Sequence, residues 1–217
     1  PGAASTATST ITAAPTSITA DGASTSTITV QLKDANGNDL TSSGGAVVLA
    51  TDAGSLSGVT DNTDGTYTAT LTSSTSVETA TVTGTLDGSA ITDNATVDFT
   101  IGTADPTTST AVVPAGTAGQ ATTVTVTVRD AGNNKVSGEA ANLAGSVTGA
   151  NTAALSAATE EADSTYTMTY TPTAAGTDQV AITLNATGIS GSPYSSAVSP
   201  GAASTATSTI TAAPTSI

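Results

Sequence analysis

The sequence predicts an all-β fold of two tandem β-sandwich domains with about seven strands each. Three observations lead there. Thr, Val and Ala dominate a chain of 217 residues of which only 2% are aromatic, and such β-branched composition suits a pleated surface. Apolar residues alternate in short runs bounded by Gly, Asn and Asp, without the long 3.6-residue period of an amphipathic helix. A weak internal period also divides the chain. Ile28–Asn38 lines up with Val124–Asn134, and Asp64–Leu71 with Asp163–Tyr170, at offsets of 96 and 99 that one loop insertion reconciles.

The first domain is expected over residues 1–102. Its strands are Ser9–Thr12 or Thr16–Thr19, then Ser26–Lys33, Ala46–Thr51, Gly54–Ser57, Thr66–Thr72, Glu78–Leu86 and Ala95–Ile101. Alternation turns Ile28, Val30, Leu32, Val48, Leu71, Val82, Val97 and Phe99 inward. The second domain, 103–199, has strands at Ser109–Val113, Thr122–Arg129, Ala141–Thr148, Thr152–Ser156, Thr165–Thr171, Asp178–Ala186 and Tyr194–Val198. Its inward set is Val124, Val126, Val128, Leu143, Val147, Met168, Ile182 and Leu184. Tyr67 and Tyr166 each follow a turn, at the start of what reads as the penultimate strand. Their hydroxyls are expected to cap that corner by bonding backbone.

Residues 200–217 remain. They repeat residues 1–18, PGAASTATSTITAAPTSI, without one substitution. Low-complexity tracts drift in order, so an identical copy 199 positions on marks a tandem array. Segment 200–217 therefore reads as linker and first strand of the next repeat, with strand-like Ser208–Thr211. A lone strand leaves its backbone groups unpaired. Two fates are open to it: strand exchange with a neighbouring copy, or an ordered linker.

Composition narrows the function. A formal charge of -14 with three Lys plus Arg excludes the basic surface that nucleic acid needs and disfavours anionic membrane surfaces. No apolar run is long enough to span a bilayer. With no Cys and no His, disulfides, thiolate chemistry and the commonest general base are all missing. Lys33 alternates outward beside Leu32 and Lys135 lies in a turn, so neither is placed for an intramolecular isopeptide bond. Glu160 and Glu161 sit on a loop without a pocket, a poor start for glycoside hydrolysis. No catalytic residue is expected, and the chain is read as a non-enzyme.

Calcium is the one ligand the residue types make credible. Chaining such sandwiches end to end is expected to bring Asp61, Asn62 and Asp64 near Asp130, Asn133 and Asn134. At the next junction Glu160, Glu161 and Asp163 would face Asp34, Asn36, Asn38 and Asp39 of the following copy. Ca²⁺ takes six to eight oxygens, which such loops offer. The competing and weightier reading is an Asx-rich turn whose side chains bond local backbone.

Ala20-Asp21-Gly22, then Ile28–Leu32 and Asp34-Ala35-Asn36-Gly37-Asn38, resemble the bacterial immunoglobulin-like domain of the invasin and intimin type. In the second domain Ser164–Pro172, Ala175-Gly176 and Gly191–Tyr194 resemble the filamin-type immunoglobulin repeat. The resemblance implies two immunoglobulin-like sandwiches in an extracellular, cell-surface array of the kind found in adhesin stalks. The expected function is a structural filament or stalk unit whose partners are neighbouring copies of itself. The alternative is an adhesive module that contacts a host protein or glycan.

Overall fold

A computed structural model of the chain describes residues 1–211. By its contacts the chain forms two units: Pro1–Thr108 with Arg129–Val136, and Ser109–Val128 with the residues from Ser137 onward.

The first unit contains β1 (Thr10–Ala14), β2 (Ser17–Thr19), β3 (Thr25–Gln31), β4 (Val47–Thr51) and β5 (Ser55–Leu56). β6 (Thr60–Asp61), β7 (Thr66–Thr72), β8 (Glu78–Leu86), β9 (Ser89–Ala90) and β10 (Ala95–Thr100) follow. One sheet has the order β1-β3-β7-β5, with β6 also on β7; the other runs β2-β10-β8-β4, with β9 on β8. The two alternatives for the first strand are both realised. Thr10–Ala14 lies antiparallel to β3 and Ser17–Thr19 parallel to β10. Pro15, which has no N–H to give a ladder, stands between them where the chain changes sheet.

Ile28, Val30, Leu32, Leu71, Val82, Val97 and Phe99 fill the space between the sheets and are essentially buried. Val48 does not join them. It is 61% exposed while Val47 points inward, because the ladder pairs Val47 with Leu86. Three consecutive apolar residues, Val47-Val48-Leu49, carry no phase of their own, so the partner strand sets it.

The second unit contains β11 (Thr110–Val112), β12 (Gly116–Thr117), β13 (Thr122–Thr127), a 3₁₀ turn (Ala140–Asn142) and β14 (Leu143–Gly149). β15 (Ala153–Ala154), β16 (Thr159–Glu160), β17 (Thr165–Tyr170), β18 (Gly176–Leu184), β19 (Thr187–Gly188) and β20 (Tyr194–Ser199) complete it. Its sheets run β11-β13-β17-β16 and β12-β20-β18-β14-β15, with β19 on β18. All eight expected inward residues, Val124 to Leu184, are buried. A polar cluster lies deeper than sequence reading anticipates. Asp178, with no solvent exposure, accepts from Asn151 N at 2.9 Å, Asn151 Nδ2 at 3.0 Å and Tyr170 Oη at 3.2 Å.

Both tyrosine corners form. Tyr67 Oη donates to Gly45 O at 2.8 Å and accepts from Gly44 N at 3.1 Å. Tyr166 Oη accepts from Glu139 N at 3.0 Å. Burial raises the Tyr166 pKa. The strand assignment needs correcting: β7 and β17 are each followed by three further strands, β8 to β10 or β18 to β20, so neither is penultimate. The strand expected at Ser208–Thr211 is absent. These residues are exposed and outside any ladder.

Candidate functional site

A structural repeat is defined by how each unit holds the segment that enters it. In the first unit that holder is the turn after β3. Asp34 is buried, and its carboxylate accepts from Gly2 N at 2.8 Å, Asn36 N at 2.9 Å and Asn38 N at 3.0 Å. Asn38 Nδ2 adds contacts of 3.1 and 3.0 Å to its two oxygens. These donors favour the ionised form. The Asn38 side chain first, then Gly2 N and Asn38 N, hold the Asp34 carboxyl well below the usual carboxylate range. Thr8 Oγ1 closes the clasp by donating to Asp34 O at 2.8 Å.

The same clasp recurs one hundred residues on. Gly102 N donates to Asp130 Oδ2 at 2.8 Å, Asn134 N to Asp130 Oδ1 at 2.8 Å, and Thr108 Oγ1 to Asp130 O at 2.9 Å. Isolated bridges match too, Ala4 with Asp34 and Ala104 with Asp130. Burial opposes ionisation of Asp130, but the N–H groups of Gly102 and Asn134 outweigh it and its pKa is lowered.

Beyond the clasp, residues 5–18 occupy a slot that spans both sheets of the first unit. Ser5 N donates to Lys33 O at 2.8 Å and Lys33 N to Ser9 Oγ at 3.0 Å. Ile11 N donates to Asp93 Oδ2 at 2.9 Å. The Ile11 side chain is 3% exposed. It enters a notch over Gly84, where an added Cβ would come 3.1 Å from Ile11 Cδ1 and 3.0 Å from Leu49 Cδ2. Ser26 Oγ then donates to Pro15 O at 2.7 Å, and β2 finishes the segment on β10.

The proposed calcium residues are distributed differently from expectation. Sequence reading brought the Asp61–Asp64 turn to Asp130 of the next domain, which needs it at the far end of the sandwich from the turn after β3. In the structure β3 pairs with β7 through Gln31 and Thr66, and Leu32 N donates to Gly65 O at 3.0 Å. An antiparallel neighbour must begin where β3 ends, so Asp61, Asn62 and Asp64 share an end with Asp34, Asn36, Asn38 and Asp39. Asp130 and Asn134 are instead tied to Gly102, beyond the last strand of that unit. In the second unit Thr127 pairs with Thr165, which likewise places Glu161 and Asp163 where β13 ends. Asp39 is engaged by Lys33 Nζ at 2.6 Å, and Asp61 and Asp64 accept from Thr63 N and Thr66 N. Glu160 accepts from Gly138 N and Glu161 from Thr167 Oγ1. Among the described residues no three acidic groups converge as a metal would need.

Sequence reasoning singled out Asp34 and Asp130 but missed what they hold. The signal was present: Gly2, Ala4, Thr8 and Ser9 recur as Gly102, Ala104, Thr108 and Ser109, and again as Gly201, Ala203, Thr207 and Ser208. The clasp uses the Gly, the Ala and the Thr of this pattern.

Two family models match successive parts of the chain. Residues 5–102 match the family model described as invasin, domain 3, and residues 103–195 match the filamin/ABP280 repeat. Among solved structures, invasin, a bacterial integrin-binding protein, is 31% identical with a TM-score of 0.64, covering 92% of this chain and 41% of its own. FdeC, an Escherichia coli adhesin, is 26% identical with a TM-score of 0.61, covering 91% of this chain and 66% of its own. InvD of Yersinia pseudotuberculosis is 29% identical with a TM-score of 0.56, covering 95% and 62% respectively. The chain thus spans less than two thirds of the length of each. Among the described residues no helix is long and apolar enough to cross a membrane.

Proposed function

Since the chain is a tandem of bacterial immunoglobulin-like repeats, the first of invasin type and the second of filamin type, we propose that it is a stalk unit of a cell-surface adhesin. It acts as a spacer, reaching outward by copy number rather than by chemistry. The observation that carries this reading is the twice-built clasp, Gly2 on Asp34 and Gly102 on Asp130, followed by a third copy of the entry sequence at Gly201. Both contacts are built alike, a glycine N–H on a turn aspartate, as a regularly repeating unit requires. The likeness to adhesins supports an extracellular location. Neighbouring copies are the partners that the repeat itself supplies.

Electron microscopy of chains carrying one, two and three 199-residue repeats tests the reading. Contour length should rise linearly, by roughly 70–90 Å per repeat for strands of about 3.3 Å per residue plus loops. Lengths that do not grow with repeat number would refute it.

A second reading, an adhesive module for a host protein or glycan, is favoured by one surface. Strand β4 pairs only with β8 among the described strands, and it carries the exposed Val48 beside Leu49. Specific binding to host protein that is lost in Val48→Asp would establish that reading over the spacer.

A further inference from the structure

We propose that segment 200–217 is a donor strand for the slot that residues 1–18 fill, in another copy of the first unit. This rests on the repeat reading above and names the partner surface. The argument begins with sequence identity: a ligand identical to the one already seated meets the same slot. Gly201 brings the N–H that Gly2 gives to Asp34, Ser208 the hydroxyl that Ser9 offers to Lys33 N, and Ile210 the side chain that Ile11 sets over Gly84.

Burial of an apolar side chain supplies the driving force: Ile11 is 3% exposed in the seated copy. Docking would bury the second isoleucine as the first is buried.

An independent observation shows that the donor is partly shaped for the slot. In the seated copy Ser9 N and Ser9 Oγ both donate to Ser5 O, at 3.1 and 2.7 Å. In the free copy Ser208 N and Ser208 Oγ donate to Ser204 O at the same 3.1 and 2.7 Å. The turn that presents Gly201 and Ile210 is therefore built by the segment's own hydroxyl, without a partner. Pre-organisation of this kind lowers the ordering cost of strand addition.

The slot is the same whether the accepting copy follows in one longer chain or belongs to a second chain. In an intact unit the resident strand is tethered at an effective concentration on the order of millimolar. A free competitor at micromolar concentration then loses by about a thousandfold. Exchange between chains needs a weakened resident.

The test uses the full chain. Ile11→Asp weakens the resident strand and leaves the donor intact; the double variant Ile11→Asp, Ile210→Asp weakens both. Sedimentation velocity across a concentration series should show Ile11→Asp forming dimers and longer head-to-tail species, while wild type and the double variant stay monomeric. A synthetic peptide of sequence 200–217 should return Ile11→Asp to monomer and raise the melting temperature of its first unit. The second unit's transition serves as internal reference. Equal oligomerisation of single and double variants would overturn the proposal, as would a monomeric Ile11→Asp protein. If Ile11→Asp unfolds its first unit, failure of the peptide to restore that transition is decisive against it. None of these failures would alter the contour lengths that test the stalk reading.

Discussion

Ile11 and Ile210 occupy the same position in two copies of one eighteen-residue sequence, so the same substitution at each isolates what the fold contributes. Ile11→Ala removes a side chain that is 3% exposed and seated against Gly84 and Leu49. Buried Ile→Ala changes cost about 2–5 kcal/mol, the transfer loss plus the cavity left behind. Gly84 and Leu49 face each other on the paired strands β8 and β4, a ladder that cannot close readily over the gap, and a value of about 3 kcal/mol is expected. For a unit of this size each kcal/mol moves the midpoint by about 4–8 °C, so its melting transition should fall by about 12–24 °C. Ile210→Ala alters a fully exposed residue and should stay within about 0.5 kcal/mol. Calorimetry on wild type and the two variants of this chain at micromolar concentration reads the difference. Equal shifts from the two substitutions would refute the assignment of residues 1–18 to the slot.

Tyr67→Phe removes the hydroxyl shared by Gly44 N and Gly45 O; because that loop is near water, the loss should be about 1 kcal/mol by chemical denaturation. Asp178→Ala leaves the buried Asn151 N–H and Tyr170 hydroxyl without this acceptor and should lower the second unit's stability by about 1–3 kcal/mol. Acid should act on the first unit. The pKa of Asp21 is lowered to about 2, chiefly by Ser24 N and Ala23 N, and Asp34 is lowered as well. A depressed carboxylate pKa gives stability that is complete above the unfolded value and is lost as pH falls through the folded one. Melting temperature should therefore hold from neutrality to about pH 4 and fall toward pH 2. Ca²⁺ should leave both transitions unmoved, since Asp34 and Asp130 already accept N–H donors; a rise reversed by chelator would establish the metal reading instead.

Much of this was legible in the sequence. Alternation located the longer strands because β3, β7, β8 and β18 bury every second residue between two sheets. Turn chemistry located the tyrosine corners. Where three apolar residues run together, as at Val47–Leu49, the pattern holds no phase and Val48 was misplaced. The ends of the sandwich were misassigned for a different reason: which loops share an end depends on strand pairing, here Gln31 with Thr66, and pairing is non-local. The role of Asp34 was half readable. Its Asx turn is a local matter, but its hold on Gly2, 32 positions away, needs the fold.

The central claim is that a glycine N–H clasped by a turn aspartate ties each repeat to its entry segment. Site-resolved amide exchange by NMR tests it most directly, comparing this chain with one lengthened by a second copy of residues 19–199. Gly102 should be protected in both chains. Gly201, whose surroundings are exposed here, should exchange fast in this chain and become protected in the longer one. If Gly201 exchanges equally fast in both, the clasp is not the joint of the array.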